Sequence, residues 1–329
     1  MRHGRGLGYV DDSGERVKDA ATLERIGDLA IPPAWDEVWI CPDPQGHLQA
    51  TGIDSAGRKQ YRYHDAWRRR RDREKFRRML EFGRALPKLR REVTRDLETR
   101  GLNRDRVLAC AVRLIDSGLF RVGGEEYAEE GGGLGVATLG KRHVSASNGV
   151  MRFDYPAKSG VRRVQDVDEA ACAKVIRALK ARHGGGSKLL AYTAHGTWFR
   201  VRADDINEYI QQRIGEDFSA KDFRTWNATV LAAVLLATES GADTNGARKR
   251  TIDAAVRGVS EALGNTPAVA RRAYIDPHLF DRYRSGWTVA PALPASAKIG
   301  PRVRGRLEAA VIDLLSDDER SRALEHRRA

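Results

Sequence analysis

A tyrosine that follows two arginines is the feature of this sequence that could do the most specific chemistry. Tyr274 ends the segment A-V-A-R-R-A-Y, and a separate K-D-F-R element supplies Arg224 earlier in the chain. A phenol has a pKa of about 10 and is a weak nucleophile at neutral pH. Cations that hold a phosphodiester beside it would stabilise the charge that develops as the phenolic oxygen attacks phosphorus. The pattern therefore predicts phosphoryl transfer through a covalent tyrosine ester.

Two more residues could help to hold the phosphate. Arg121 follows the largely apolar segment from Val107 to Phe120 and, with Arg224, would place two positive charges on the non-bridging oxygens. The amide of Asn265, just before Thr266-Pro267, could donate a further hydrogen bond. Each residue also has an ordinary structural interpretation, Arg121 as a cation at a helix C-terminus and Asn265 as a neighbour of a helix cap.

A lysine in a predicted hairpin turn could supply the acid that the leaving alkoxide requires. Lys158 lies in P-A-K-S-G, where the ordinary interpretation is a solvated turn residue. In the functional interpretation, the turn inserts into a DNA groove and Lys158 protonates the leaving oxygen. Lys221, three residues before Arg224, could assist that proton transfer.

The first part of the chain predicts a small, strand-rich domain. Its strand candidates are Val38–Cys41, Leu48–Ile53 and Lys59–His64, separated by turn sequences. From Trp67 the sequence changes to R-R-R-R-D-R-E-K-F-R-R, which predicts a helix with a strongly basic face. We therefore predict an N-terminal domain over residues 1–72 and a second domain over 73–329.

The second domain is predicted to be mainly helical around one three-stranded meander. Its strands are Val144–Ser147, Val150–Tyr155 and Val161–Val164. Asn148-Gly149 is a two-residue hairpin signal, and the turn with Lys158 joins the other two strands. Residues 290–301 are rich in alanine and proline and predict a linker to a last helix over 303–315.

Helix caps place Arg224 and Tyr274 on two different helices. Ser219 begins S-A-K-D, a capping-box pattern, and Phe223 begins an apolar face at helical spacing. Arg224 lies about 100° round the helix from Phe223, so the pattern allows it to lie outside the core. Thr266-Pro267 is a cap residue followed by proline, and it confines Tyr274 to a helix of about two turns.

The composition predicts a polyanionic partner and no cofactor. Lys and Arg number 58 against 45 Asp and Glu, a net charge of +13. The ordinary interpretation of this composition is a codon bias that replaces lysine with arginine on a solvated surface. The cysteines are isolated and no histidine pair has metal-ligand spacing, so we expect no metal site and a reducing cytosol. The cluster G-G-G-L-G lacks the Lys-Ser/Thr ending of a nucleotide-binding loop.

Without a signal-peptide pattern or a long apolar run, we expect a cytoplasmic, nucleoid-associated protein that does not contact membranes.

The order Arg, Lys, K-x-x-R, Asn, Tyr is more distinctive than any one of these residues. With F-R-V-G-G-E-E-Y, T-L-G-K-R-H-V, F-D-Y-P-A-K-S-G, A-K-D-F-R-T-W and N-T-P-A-V-A-R-R-A-Y, the chain resembles the type IB DNA topoisomerases, in their bacterial, poxvirus-like branch. I-P-P-A-W-D-E-V-W-I-C-P and G-R-K-Q-Y-R-Y-H extend the resemblance over most of residues 20–290. It implies an α+β fold, with a small β-rich N-terminal domain and a larger, mainly helical catalytic domain that contains a three-stranded antiparallel sheet.

The resemblance also implies a role for each candidate residue. Tyr274 matches the nucleophile that forms a 3′-phosphotyrosyl link, and Lys158 matches the general acid, with Lys221 as a possible relay partner. The groups that match stabilisers of the pentacoordinate phosphorus are Arg121, Arg224 and Asn265. Those that match DNA-contacting residues are Gln60, Tyr61 and Tyr63 in the major groove and Tyr127 on the backbone.

The activity implied is relaxation of supercoiled duplex DNA by a monomer that clamps the duplex and needs no ATP, metal or cofactor. The basic helix would contact phosphates through Arg68, Arg69, Arg70 and Arg71. Two departures from the family pattern stand out. Poxvirus enzymes have histidine where this chain has Asn265, and Gly131 to Gly133 replace a more polar stretch, which puts local DNA contacts there in doubt.

Two other functions compete with this interpretation. A tyrosine recombinase or integrase would share the nucleophile, but these enzymes usually carry H-x-x-R where this chain has K-D-F-R. A non-catalytic architectural DNA-binding protein would explain the charge, but not the presence of all five active-site residue types. Relaxation of plasmid DNA without metal or ATP separates these functions.

Overall fold

The chain has an α+β fold of two compact units, Met1–Arg77 and Arg78–Ala329. The computed structural model describes residues 2–3, 6–125, 133–147, 149–238, 244–294 and 301–327. Within those ranges, no helix combines the length and the apolar character that crossing a membrane would require.

The first unit is built round a three-stranded antiparallel sheet in the order β3-β4-β5. Its elements are β1 (Arg2–His3), β2 (Gly6–Leu7), α1 (Ala20–Asp28), β3 (Asp36–Ile40), β4 (Leu48–Ile53) and β5 (Lys59–Tyr63). The prediction for β4 is confirmed, whereas β3 begins earlier than predicted and β5 ends one residue sooner. Ala50 of β4 and Ile26 of α1 are buried apolar residues of this unit, and β4 is buried at four consecutive positions.

One long helix, α2 (Asp65–Leu97), continues from the first unit into the second. It begins at Asp65, two residues before the predicted start at Trp67. Its first turns carry the run of arginines, and its later turns carry a row of buried apolar side chains at helical spacing. The members of that row are Phe76, Met79, Phe82, Leu86, Leu89, Val93 and Leu97.

The second unit holds the predicted meander, surrounded by helices. Before and within the meander lie α3 (Arg104–Gly118), β6 (Val144–Ser147), β7 (Val150–Pro156) and β8 (Arg162–Asp168). The three strands pair antiparallel in that order, with Tyr155 opposite Arg163. Met151, Phe153 and Tyr155 alternate into the core, as a half-buried strand requires. The strand β8 is longer than predicted, and Asn148 of the first turn lies outside the described residues.

A second small hairpin was not predicted. The next elements are α4 (Ala170–Ala181), β9 (Ala191–Ala194), β10 (Thr197–Arg200) and α5 (Ala203–Ile214). The hairpin turns at His195 and Gly196, whose φ angles of +50° and +76° suit a two-residue hairpin turn. The sequence prediction that the meander is the one interruption among the helices is therefore wrong.

The remaining elements carry the C-terminal part of the site. They are α6 (Ala220–Thr238), α7 (Asn245–Leu263), α8 (Pro267–Ala273), α9 (Pro277–Arg284), β11 (Trp287–Thr288), α10 (Pro301–Leu315) and β12 (Glu325–His326). The helix α6 contacts α3, α5, α7, α9 and α10, so almost every side of its first half is buried. Its Trp226 lies against α2 where Gly83 leaves no room for a side chain, because a Cβ there would lie 2.7 Å from the indole ring.

A buried network of charges attaches the last helix, α10, to the second unit. Asp116 at the end of α3 accepts hydrogen bonds from Arg90 Nε at 2.8 Å and from Arg304 Nη2 at 2.6 Å. Glu308 accepts from Arg90 Nη2 at 2.8 Å and from Arg304 Nε at 3.2 Å. The side-chain oxygen of Asn227 on α6 accepts from Arg304 at 2.8 Å. Two arginines and two carboxylates thus compensate one another in the interior.

The network makes part of the stability dependent on pH. Burial acts to raise the pKa of the Asp116 carboxyl, but the charges of Arg304 and Arg90 outweigh it and hold this pKa below its usual 3.8. A carboxyl group with a lowered pKa in the folded state stabilises the protein fully above its unfolded pKa. That contribution is lost as the pH falls below about 4 and through the lower, folded pKa.

Replacing Arg304 with methionine is expected to lower the free energy of unfolding by about 3 kcal/mol, because Asp116 and Glu308 would retain Arg90 as their one network arginine. Urea unfolding of the full chain measures the change. Arg306→Met is the matched control, since Arg306 is an exposed arginine of the same helix that donates to the Ala292 carbonyl. Equal destabilisation by the two changes would contradict a special role for the network.

Candidate functional site

The backbone of Tyr274 is fixed directly after the short helix α8. As predicted, Thr266 caps this helix, its side chain accepting from Val269 N, and Tyr274 N donates to Ala270 O at 3.1 Å. From α6, the Thr229 hydroxyl donates to Tyr274 O and accepts from Asp276 N, each at 3.2 Å. The tyrosine side chain is only partly buried. The phenol is therefore held on a rigid segment and remains accessible to a substrate.

Arg224 lies over the ring of Tyr274, with its guanidinium carbon 5.3 Å from the ring centroid. The side chain is only 4% exposed, so Arg224 is buried although it lies off the apolar face that begins at Phe223. The reason is that neighbouring helices surround this part of α6 on all sides. Nη1 donates to Leu119 O at 2.6 Å and Nη2 to Leu263 O at 2.9 Å. Nε is buried and has no hydrogen-bond partner among the described residues.

Burial makes the charge of Arg224 costly. Desolvation, followed by the nearby charge of Arg121, lowers the pKa of the Arg224 guanidinium to about 10. The group is still protonated at neutral pH. An anion bound beside it would relieve both the desolvation and the repulsion, so the site favours a negatively charged ligand.

Arg121 and Asn265 are brought together from distant parts of the chain. Arg121 Nη2 donates to Asn265 Oδ1 at 2.6 Å. The Nδ2 of Asn265 is buried without an acceptor among the described residues. The Arg121 backbone is held by a hydrogen bond in which its carbonyl accepts from Val136 N at 2.9 Å. Gly135 lies against the same carbonyl, because a Cβ at that position would lie 2.5 Å from the oxygen. The amide of Asn265 is thus oriented by Arg121 and keeps one donor group for another ligand.

A third arginine and a second tyrosine lie in the same cluster, and the sequence analysis missed both. Arg163 of β8 is opposite Tyr155 of β7, which is 3% exposed. Burial raises the pKa of the Tyr155 phenol, although the charges of Arg163, Arg224 and Arg121 act in the other direction. The predicted strands would have placed Tyr155 opposite Val161, whereas the observed register pairs it with Arg163.

The cluster is strongly positive. Among the residues that the structure describes, no carboxylate forms an ion pair with Arg121, Arg163 or Arg224. Two buried donors, Arg224 Nε and Asn265 Nδ2, also lack acceptors there. Three guanidinium groups without a carboxylate partner, beside the available donor of Asn265, favour binding of an anion with several oxygen atoms.

Lys158 lies on the predicted turn between β7 and β8 and begins the 3₁₀ turn Lys158–Gly160. Its side chain is exposed, so it is not packed inside the cluster. The turn is supported from behind by Gly133, where a Cβ would lie 2.4 Å from Lys158 N, and by Leu134 N, which donates to Pro156 O at 2.9 Å. Gly133 has φ +90°, so this close approach requires glycine. Gly131 and Gly132 lie outside the described residues.

Lys221 is exposed in the first turn of α6. The predicted cap of this helix is present in part, since Ser219 N and Oγ donate to Asp222 Oδ2 at 2.8 and 2.9 Å. The cap fixes the start of the helix that carries Lys221 and Arg224. The structure leaves the ammonium of Lys221 in solvent while Arg224 is buried.

In the first unit, Tyr61 and Tyr63 lie together on one face of β5. Their rings stack at a centroid distance of 6.1 Å, and Tyr63 stacks on Trp67 at 4.4 Å. Tyr61 is 49% exposed, so this aromatic row is open to a ligand. Gln60 lies on the other face by strand alternation and donates to Asp54 at 2.9 Å. The structure thus groups the two tyrosines and separates Gln60 from them.

The arginine run at the start of α2 is exposed to solvent. Arg68 pairs with Asp65, and Arg71 lies 3.6 Å from Glu74 and 5.5 Å from the centroid of Trp67. Arg69 and Arg70 are also exposed. This basic face borders the aromatic row. Tyr127, the remaining candidate for DNA contact, lies outside the described residues.

In the described part of the chain, no group of three or more His, Cys, Asp or Glu side chains could hold a metal ion. Cys41, Cys110 and Cys172 are free thiols.

Two protein-family profiles match the chain. The first, described as eukaryotic DNA topoisomerase I, catalytic core, matches residues 64–284. The second, described as bacterial DNA topoisomerase IB, N-terminal domain, matches residues 6–54. Among individual proteins, the chain is similar to DNA topoisomerase 1B of Acanthamoeba polyphaga mimivirus, with 33% identity over 285 residues that cover 84% of each chain.

Proposed function

Since this chain belongs to the type IB DNA topoisomerases, we propose that it relaxes supercoiled duplex DNA through a transient 3′-phosphotyrosyl bond at Tyr274. The observation that carries the proposal is the arginine cluster that meets the ring of Tyr274 through Arg224. Three arginines without carboxylate partners and two buried donors without acceptors lie there, in the part of the chain that the structure describes. A phosphodiester supplies the oxygen atoms that such a cluster lacks.

In the cleavage step, Tyr274 Oη forms a bond to phosphorus as the bond from phosphorus to the 5′-oxygen breaks. The phenol proton passes to water, and the Lys158 ammonium gives a proton to the leaving 5′-oxygen. Lys158 suits this role because its turn projects from the meander and is exposed to an incoming duplex. Lys221, exposed on α6, is the candidate relay partner that would assist this proton transfer.

Arg121, Arg224 and Asn265 would stabilise the pentacoordinate phosphorus. Charge accumulates on the non-bridging oxygens as Tyr274 attacks, and fixed donors that already point at the site need no rearrangement. Loss of one such donor typically costs about 10²–10³-fold in rate. Arg224 is the most rigid of the three, because two backbone carbonyls already hold its terminal nitrogens.

After cleavage, the free 5′-hydroxyl end rotates about the intact strand and torsional strain relaxes. Religation reverses the chemistry: the 5′-hydroxyl attacks the phosphotyrosine, and neutral Lys158 accepts the proton that it gave up. The tyrosine ester conserves the energy of the broken phosphodiester. The cycle is therefore proposed to require neither ATP nor a metal ion.

Both units are proposed to contact DNA. The exposed arginines of α2 would bind phosphates, and this contribution to DNA affinity weakens steeply as the salt concentration rises. These arginines are Arg68, Arg69, Arg70 and Arg71. Tyr61 and Tyr63 would meet the bases, and Gln60 would reach them only after leaving Asp54. We also propose that the protein acts as a monomer on the bacterial nucleoid, because all the proposed catalytic groups come from one chain.

A relaxation assay tests the proposed function. The purified protein is expected to relax negatively supercoiled plasmid in EDTA without ATP, leaving a ladder of topoisomers after the protein is removed. An architectural DNA-binding protein would leave the linking number of closed plasmid unchanged. A requirement for Mg²⁺ or ATP would contradict the mechanism, and recombinant products without relaxation would favour an integrase.

A further inference from the structure

Arg163 lies in the cluster, yet the reaction steps above give it no role. Its guanidinium is partly buried beside Tyr155 and close enough to Arg121 for the two charges to interact. Burying a cation costs free energy, so the groups that accept hydrogen bonds from Arg163 indicate its role.

One end of the Arg163 guanidinium packs against the turn that carries Asn265. Nη2 donates to Ala262 O at 2.7 Å, in the last turn of α7. Gly264 follows, and a Cβ there would lie 2.8 Å from Arg163 Nη1, so the guanidinium occupies the space beside this turn. Asn265 N closes the turn by donating to Ser260 O at 3.0 Å.

The other end of Arg163 reaches the segment that carries Arg121. Nε donates to Gln165 Oε1 at 2.5 Å, and Gln165 Nε2 donates to Gly118 O at 3.1 Å. Gly118 is the last residue of α3, and Leu119 after it has φ +55°, which turns the chain toward Arg121. One arginine and one glutamine thus link the end of α3 to the turn after α7.

We propose that Arg163 is a positioning residue for DNA cleavage. By holding the turn after α7 against the end of α3, it keeps Asn265 Oδ1 at the Arg121 guanidinium and so aims Asn265 Nδ2 at the phosphate. Arg163 acts through Asn265 and does not touch the reacting atoms. The inference rests on the proposed function, because it assigns a role in that same reaction.

Arginine is needed here for its shape as well as its charge. The planar fork donates in two directions at once, to Ala262 O and to Gln165. A lysine would keep the charge but provides a single ammonium at the end of a flexible stem, which cannot span both acceptors.

The test is the rate of covalent adduct formation in a single turnover at saturating DNA. Arg163→Met and Arg163→Lys are both expected to slow it by about 10- to 100-fold, the effect of a misplaced catalytic group. Gln165→Ala, which leaves Arg163 in place and removes the link to Gly118, is expected to slow it in the same direction. Arg162→Met is the matched control, because Arg162 is an exposed neighbour on the same strand that pairs with Asp154, and its loss should leave the rate unchanged.

A double-mutant cycle separates positioning from general destabilisation. In an Asn265→Ala background, Arg163→Met is expected to slow cleavage by less than about twofold more, because the residue that it positions is already gone. Independent, multiplicative effects would overturn the proposal, and so would a wild-type rate in Arg163→Lys. If the wild-type chain itself formed no adduct, the proposed function would fail, which is a different outcome from a wild-type rate in Arg163→Met.

Discussion

Tyr274→Phe is expected to abolish the covalent protein–DNA adduct while leaving DNA affinity nearly unchanged. The substitution removes one oxygen atom, the proposed nucleophile. The ring can keep its place under the Arg224 guanidinium, and Thr229 still holds the backbone. Loss of a nucleophile removes nearly all of the rate enhancement of an enzyme, so we expect at least about 10⁴-fold slower cleavage.

The measurement is SDS trapping of a duplex labelled at the 5′ end of the scissile strand, together with a binding titration. Tyr283→Phe is the control, because Tyr283 is a buried tyrosine of the neighbouring helix α9 and should form adduct at the wild-type rate. An adduct that persisted in Tyr274→Phe would show that another side chain attacks the phosphorus.

Lys158→Ala is expected to slow cleavage of ordinary DNA by about 10²–10⁴-fold, the usual contribution of a general acid. On DNA with sulfur in place of the bridging 5′-oxygen, the same substitution should cost less than about tenfold, since a thiolate leaves without a proton. The difference between the two substrates, measured as single-turnover rates, isolates proton donation from any effect on binding.

Lys174→Ala provides the matched control, because Lys174 is an exposed lysine on α4 and its loss removes the same charge. It should leave both substrates unaffected. Equal slowing of the two substrates by Lys158→Ala would remove Lys158 from the acid role and assign it to DNA binding.

The sequence predicted those parts of the site whose signals are local. The Thr266-Pro267 cap placed Tyr274 at the end of a short helix, and the two hairpin turns placed Lys158 between strands. Both depend on a few neighbouring residues with restricted backbone preferences. The resemblance to topoisomerases then supplied the family, which the comparisons with known proteins confirm.

What the sequence could not predict depends on packing between distant segments. The helical periodicity predicted one apolar face, which includes Phe223 and does not include Arg224. Helices from later in the chain also cover the side of α6 that carries Arg224, so this side chain is buried. Arg163 was missed because its contact with Ala262, and its link through Gln165 to Gly118, join segments that meet only in the folded chain. Periodicity describes one element at a time and carries no information about such contacts.

The three guanidinium groups without carboxylate partners are expected to serve catalysis at a cost in the stability of the folded protein. Without DNA they repel one another inside a weakly solvated pocket, so this part of the fold is electrostatically frustrated. Under the proposed function, neutral substitution of Arg121 is expected to ease that frustration and to yield a more heat-resistant but inactive protein. Under the proposed function, selection for thermal endurance alone would therefore erode this pocket first, because DNA phosphate would balance its charge only in the complex.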